Sequence, residues 1–129
     1  MAEEKSSQRM TDRPFSVTAI SGLFLAVGIA GIVRVFQIRA WHHFSSEDAA
    51  ALALNAVAIF CGVVLLQRRN WARWLALAWI SAHIAIGFLN SLQQVAIHAL
   101  FLVLIGYLLF RRDANVWFRG AISESAPTQ

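Results

Sequence analysis

Four long apolar stretches, separated by short polar segments, constrain this chain more than any other feature. Charged residues are confined to positions 3–13, 34–48, 68–73, 111–119 and 124. Each apolar stretch is long enough to cross the hydrocarbon core of a bilayer, which takes about 20 residues of α-helix. Only 14% of the residues are charged, whereas soluble domains have about 25%. The sequence therefore predicts an all-α integral membrane protein, an antiparallel four-helix bundle with spans at about 15–37, 48–67, 71–89 and 92–110.

The polar ends of the chain are predicted to be tails. Residues 1–14 are mixed in charge and end in Pro14, which is typical of a disordered cytoplasmic tail. The first apolar stretch is expected to be a retained span, because its core is longer than the roughly 7–15 apolar residues of a signal peptide. Residues 113–129 are predicted to form a second cytoplasmic tail, with Trp117 and Phe118 in the membrane interface.

Basic residues are distributed unequally over the two sides of such a bundle. One side holds nine of them: Lys5, Arg9, Arg13, Arg68, Arg69, Arg73, Arg111, Arg112 and Arg119. The other side holds only Arg34 and Arg39, close to the acidic Glu47 and Asp48. Because segments rich in Lys and Arg stay in the cytoplasm, both termini are predicted to be cytoplasmic. The basic residues then face anionic lipid, so the bilayer is the expected partner and no nucleic acid is expected.

Small residues predict which helix faces pack, since they let backbones approach closely inside a membrane. In the first span they recur every four residues, and the stripe ends on an arginine: Thr18, Gly22, Ala26, Ala30 and Arg34. The stripes predicted for the other three spans each include a polar residue, and these residues are Asn55, His83 and His98.

Arg34, Asn55, His83 and His98 form the candidate ligand-binding site. All four are predicted to lie within roughly 5–10 Å of the outer boundary of the membrane. Polar groups at such a depth are costly and often mark ligand, ion or proton paths. Two imidazoles at one level suit a haem or a metal, and Arg34 suits an anion or the headgroup of a quinone or lipid. The alternative is that these residues only hold the bundle together by interhelical hydrogen bonds, with Arg34 reaching the surface.

Other chemistry-bearing residues carry weaker signals. His42 and His43 are weak metal candidates, because their spacing to the following acidic residues matches no known site. The single cysteine, Cys61, excludes thiol oxidoreductases that need paired thiols. No Asp or Glu lies in the interior of an apolar span, since Asp48 is at the very start of the second one, so the carboxylate that drives small proton-coupled exporters is missing.

The turn between the second and third spans carries a resemblance to known sequences. It reads Arg69-Asn70-Trp71-Ala72-Arg73-Trp74-Leu75, or R-x-W-A-R-x-L. This resembles a motif of small uncharacterised bacterial four-helix membrane proteins, over roughly residues 50–118. The resemblance implies a location in the bacterial inner membrane and assigns no reaction.

These features favour a non-enzymatic protein that acts as a partner, subunit or lipid-associated component, as a homo-oligomer or with another membrane protein. One alternative is a protein that binds a quinone, haem or metal through Arg34, Asn55, His83 and His98. Another is a small dimeric transporter. We assign no catalytic residue and no cofactor.

Overall fold

The computed structural model describes residues 13–39 and 44–124, with Arg39 and residues 121–124 described by their backbone alone. These residues form helices α1 (Phe15–Arg39), α2 (Ser46–Leu66), α3 (Ala72–Asn90), α4 (Leu92–Phe110) and α5 (Arg112–Glu124). The described part of the chain contains no strand, and the all-α prediction is confirmed. Helices α1 to α4 are long and apolar enough to cross a bilayer, as in a multi-pass membrane protein. His42 and His43, and all but the last two residues of the predicted N-terminal tail, lie outside the described residues.

Local sequence signals explain where the helices begin. Ser45 caps α2: its side chain accepts a hydrogen bond from the Asp48 amide, and the Asp48 carboxylate accepts one from the Ser45 amide at 2.8 Å. Ser91 alone separates α3 from α4, and its hydroxyl oxygen accepts a hydrogen bond from the Gln94 amide at 3.2 Å. Arg68 turns the chain between α2 and α3 with a φ of 64°, a backbone conformation that residues other than glycine rarely adopt.

The four long helices pack as consecutive antiparallel neighbours. Helix α1 lies along α2, α3 lies along α4, and α2 joins the two pairs through α3. Helices α1 and α4 approach each other only weakly, so the ring of four helices is loosest at this seam.

The structure overturns the packing stripe that was predicted for α1. Its members Thr18, Gly22, Ala26, Ala30 and Arg34 are all exposed. A Cβ atom added to Gly22 would meet nothing within 4 Å. The inward face instead repeats at spacings of three and four residues, through Val17, Ser21, Phe24, Gly28 and Gly31.

Two glycines on this inward face explain the difference. A Cβ on Gly28 would lie 2.8 Å from the carbonyl oxygen of Asn55, and a Cβ on Gly31 would overlap the Asn55 side chain. Only residues without a side chain fit at this crossing, because α2 approaches α1 so closely. Asn55 and Ile59 of α2 therefore fit against these two glycines, in a contact that no pattern within α1 reveals.

Helix α5 corrects the expectation of a C-terminal tail with two aromatic residues in the membrane interface. Ala114, Trp117 and Phe118 are buried, because α5 packs across one end of the bundle. This end, where α1 begins and α4 ends, carries most of the arginines and is called the basic end below: Arg13, Arg68, Arg69, Arg73, Arg111, Arg112 and Arg119. The Nε of Arg68 donates a hydrogen bond to the carbonyl oxygen of Trp117, and its guanidinium lies 5.6 Å from the centre of the Trp117 ring.

Candidate functional site

The structure brings His83 of α3 and His98 of α4 together. Their rings stack with centroids 5.6 Å apart and planes inclined by 19°. The two residues lie on either side of the Ser91 turn, so the antiparallel hairpin places them at the same height. His98 is the seventh residue of α4, about 9 Å along the helix from its first residue. The histidine pair therefore lies inside the apolar span, in the half of the bundle that is farther from the basic end.

Hydrogen bonds to the backbone define the tautomer of both imidazoles. Nδ1 of His83 lies 3.0 Å from the carbonyl oxygen of Trp79, and Nδ1 of His98 lies 2.8 Å from that of Gln94. A carbonyl oxygen can only accept, so Nδ1 carries the proton in each neutral ring. Nε2 of each ring is then a bare acceptor, and it has no partner in the described part of the chain.

Trp79 connects the histidine pair to the rest of the bundle. Its ring centroid lies 3.9 Å from that of His83 and 5.2 Å from that of Phe24 on α1. Its indole Nε1 donates a hydrogen bond of 2.8 Å to the carbonyl oxygen of Leu54 on α2. Contacts with α1 and α2 thus hold Trp79, and Trp79 in turn packs against the His83 ring.

A partly open cavity of about 120 Å³ lies beside His98, at the loose seam between α1 and α4. Helix α1 contributes Leu23, Phe24 and Val27 to its wall. The remaining wall residues come from α3 and α4: Trp79, Ile80, His98, Phe101 and Ile105. Apart from the ring nitrogens of His98 and Trp79, these side chains are apolar. We call this cavity the seam groove.

The other two predicted site residues do not join the pair. Asn55 is occupied with helix packing, since its Nδ2 donates a hydrogen bond of 2.7 Å to the carbonyl oxygen of Ala51 and its side chain contacts Gly31. Arg34 lies on the exposed face of α1, outside the wall of the seam groove. The predicted set of four is therefore reduced to His83 and His98.

The stacking of the two rings bears on the haem and metal alternatives. Two axial ligands of one haem iron approach it edge-on from opposite sides, each through one nitrogen. Two imidazole rings that stack face to face leave no room for an iron between their nitrogen atoms. This arrangement therefore does not fit two axial ligands of one haem. Among the described residues, no three His, Cys, Asp or Glu side chains are grouped so that they could hold a metal ion.

A second polar centre, which no sequence pattern predicted, lies at the basic end. Arg73 is only 5% exposed, and its guanidinium lies 4.7 Å and 4.9 Å from the rings of Phe110 and Phe118. It donates hydrogen bonds to the side-chain oxygens of Asn70 and Asn115, and one of 3.4 Å to the carbonyl oxygen of Leu109.

The environment of Arg73 identifies it as a structural group. The acceptors around it are neutral, and the carbonyl end of α4 supplies the negative end of a helix dipole. Asn115 also donates a hydrogen bond of 2.6 Å to the carbonyl oxygen of Phe110, so it ties α5 to α4. The spacing of Asn70 and Arg73 was a local signal for this centre, but the third partner, Asn115, is 42 residues away from Arg73 in the chain.

No family model matches this chain. No curated protein and no solved structure matches it either. The resemblance carried by the R-x-W-A-R-x-L turn therefore stays a prediction, and the function is inferred from the geometry of the chain itself.

Proposed function

We propose that this protein is a non-enzymatic, lipid-associated component of a bacterial inner membrane that holds a small apolar molecule from the bilayer in the seam groove. The observation that carries the proposal is an apolar cavity inside a span that is lined by His98, a histidine whose Nε2 has no partner among the described residues. Sites for small molecules are typically concave and apolar, with a few polar groups that orient the ligand.

The position of the groove supports a ligand that arrives through the bilayer. The groove lies between membrane-crossing helices, at the seam where α1 and α4 are least tightly packed. A cavity of about 120 Å³ is close in size to engineered cavities of about 150 Å³ that bind benzene. The ligand portion that enters is therefore about the size of one six-membered ring.

The proposed orientation places the basic end in the cytoplasm. Seven arginines of the described chain lie at that end, and Asp113, which pairs with Arg111 at 3.6 Å, offsets one of them. Such a bias is what retains a segment on the cytoplasmic side. The seam groove and the histidine pair are then nearer the outer leaflet.

Photolabelling tests the proposal. The protein is reconstituted in nanodiscs with a single-chain lipid that carries a diazirine, and the labelled peptides are mapped by mass spectrometry. We expect adducts to concentrate within residues 23–27 and 98–105, because these residues line the groove. Labelling in proportion to exposed apolar surface would contradict the proposal.

Two variants of one helix make the test specific. Val27→Trp fills the groove from α1, whereas Val33→Trp adds the same side chain outside it. The two valines are 41% and 47% exposed, so they are well matched. We expect Val27→Trp to lose the concentrated labelling and Val33→Trp to keep it.

A partner helix is the second candidate, and the exposed small-residue stripe of α1 favours it. Thr18, Gly22, Ala26 and Ala30 offer the flat surface that membrane helices use for close packing. If the partner is a second copy, Ala26→Cys in a Cys61→Ala background forms a disulfide-linked dimer on oxidation. Val103→Cys, at a 70% exposed position of α4, serves as the control and remains monomeric.

A further inference from the structure

The hydrogen-bonding state of His98 limits which molecules suit the seam groove. Its Nδ1–H is already donated to the carbonyl oxygen of Gln94 at 2.8 Å, and its Nε2 is an acceptor that has no partner among the described residues. A neutral imidazole in this state offers a ligand nothing but an acceptor. A ligand gains a hydrogen bond here only if it brings a donor.

We infer, on the basis of the proposed function of the groove, that its ligand is a hydroxyl-bearing ring, a phenol or hydroquinone, whose O–H donates to Nε2 of His98. The size of the cavity suits one ring, and the phenolic O–H supplies the missing donor. Phe24, Trp79 and Phe101 supply aromatic walls on which such a ring packs.

A hydrogen-bond acceptor at His98 discriminates between the reduced and the oxidised form of one molecule. A quinone presents carbonyl oxygens, which accept only, so two acceptors would face each other at His98. A hydroquinone of the same size presents hydroxyl donors. The groove is therefore selective for the hydroquinone, whereas the alternative that was predicted from the sequence named a quinone.

The stack behind His98 keeps the acceptor in place. His83 stacks on the His98 ring at a centroid distance of 5.6 Å, and the Trp79 ring packs against His83 at 3.9 Å with the two planes inclined by 38°. Nδ1 of His83 is bonded to the carbonyl oxygen of Trp79, so both rings are oriented by backbone groups of their own helices. Of the two histidines, only His98 lines the groove, and His83 is thus a positioning residue.

Binding of a matched pair of probes tests the inference. Para-hexylphenol and its methyl ether, para-hexylanisole, have the same ring and chain and differ in the O–H donor. Binding to the protein in nanodiscs is measured by equilibrium dialysis, with empty nanodiscs as the reference for partitioning. We expect the phenol to bind about three- to tenfold more tightly than the ether, as one hydrogen bond contributes.

The variant His98→Phe keeps an aromatic ring and removes the acceptor. We expect it to bind both probes with the affinity of the ether, whereas His83→Phe keeps a preference for the phenol. A merely structural role of His98 would weaken both probes alike and leave their ratio unchanged, and that result would overturn the inference. A second readout needs no variant: the ¹⁵N resonance of the His98 Nε2 shifts on addition of the phenol and does not shift with the ether.

The results of these measurements test the hydroxyl-bearing ligand separately from binding in the seam groove. Equal binding of phenol and ether by the unmodified protein, abolished by Val27→Trp, would refute the hydroxyl-bearing ligand and leave the groove as a binding site. Binding that Val27→Trp does not change, or no binding of either probe beyond that of empty nanodiscs, would refute both.

Discussion

The close approach of α1 and α2 leads to a sharp prediction about two glycines of the same helix. We consider Gly28→Ala, at the crossing with α2, and Gly22→Ala, on the exposed face. The new Cβ at position 28 would lie 2.8 Å from the carbonyl oxygen of Asn55 and 3.1 Å from the amide nitrogen of Ile59, both backbone atoms. Ordinary van der Waals contact begins at 3.4 Å, so α1 and α2 must separate by 3.4 − 2.8 = 0.6 Å at this point.

The expected change in the free energy of unfolding of Gly28→Ala follows from two opposing effects. Separation by this amount forfeits about a quarter to a half of the dispersion energy of the atoms involved, and overpacking typically costs about 1–3 kcal/mol. Replacing glycine within a helix recovers about 0.5–1 kcal/mol of backbone entropy. We therefore expect Gly28→Ala to lower the free energy of unfolding by about 0.5–2 kcal/mol. Gly22→Ala has only the favourable effect, because its Cβ meets nothing within 4 Å.

The assay is reversible unfolding in mixed micelles titrated with sodium dodecyl sulfate, followed by far-ultraviolet circular dichroism. The two variants differ by one methyl group each in the same helix, so general effects of the substitution cancel. Equal changes in the two variants would refute the reasoning. A larger loss in Gly22→Ala would mean that α1 packs through the stripe of Thr18, Gly22, Ala26 and Ala30 after all.

Two further predictions concern single contacts between elements. Arg68 has a φ of 64° and donates to the Trp117 carbonyl, so Arg68→Gly and Arg68→Ala both lose the side chain while only glycine relieves the backbone. Arg68→Ala should therefore unfold more easily than Arg68→Gly, by about 1 kcal/mol in the same micelle assay, and the reverse order would contradict the assigned conformation. Trp79→Phe removes the 2.8 Å hydrogen bond to Leu54, and we expect a loss of about 0.5–1.5 kcal/mol. Trp74→Phe, at a 62% exposed position of the same helix, should change the unfolding free energy less, and equal losses would mean that the Leu54 bond contributes nothing.

Properties that depend on neighbouring residues could be predicted from the sequence. The four long helices follow from uninterrupted apolar length, and their beginnings follow from local caps such as Ser45 and Ser91. The approach of His83 and His98 also has a local origin, because both residues lie at similar distances from the turn at Ser91. The stacking of their rings required the rotations of α3 and α4, which the spacing alone did not fix.

Properties that depend on contacts between distant residues could not be predicted. Helix α1 has two sets of small residues, and the set that packs is the one that fits against Asn55 and Ile59 on another helix. The aromatic residues of α5 suit both a membrane interface and a protein surface. Helix α5 packs against the bundle because Arg68 and Arg73 donate hydrogen bonds to Trp117 and Asn115. The planar guanidinium groups of the two arginines also lie near the rings of Trp117 and Phe118.

The polar groups of the two halves of the bundle have different environments, and this difference distinguishes the structural centre from the candidate site. At the basic end, both terminal nitrogens of Arg73 find acceptors, two aromatic rings cover the guanidinium, and only its Nε lacks a partner. An arginine held in this way ties three elements together and has little capacity left for a ligand. In the other half, His98 uses one nitrogen to fix its own ring, its second nitrogen has no partner among the described residues, and its side chain lines an apolar cavity. An acceptor without a partner is costly in apolar surroundings, and this cost is the reason why we place the proposed ligand in the seam groove.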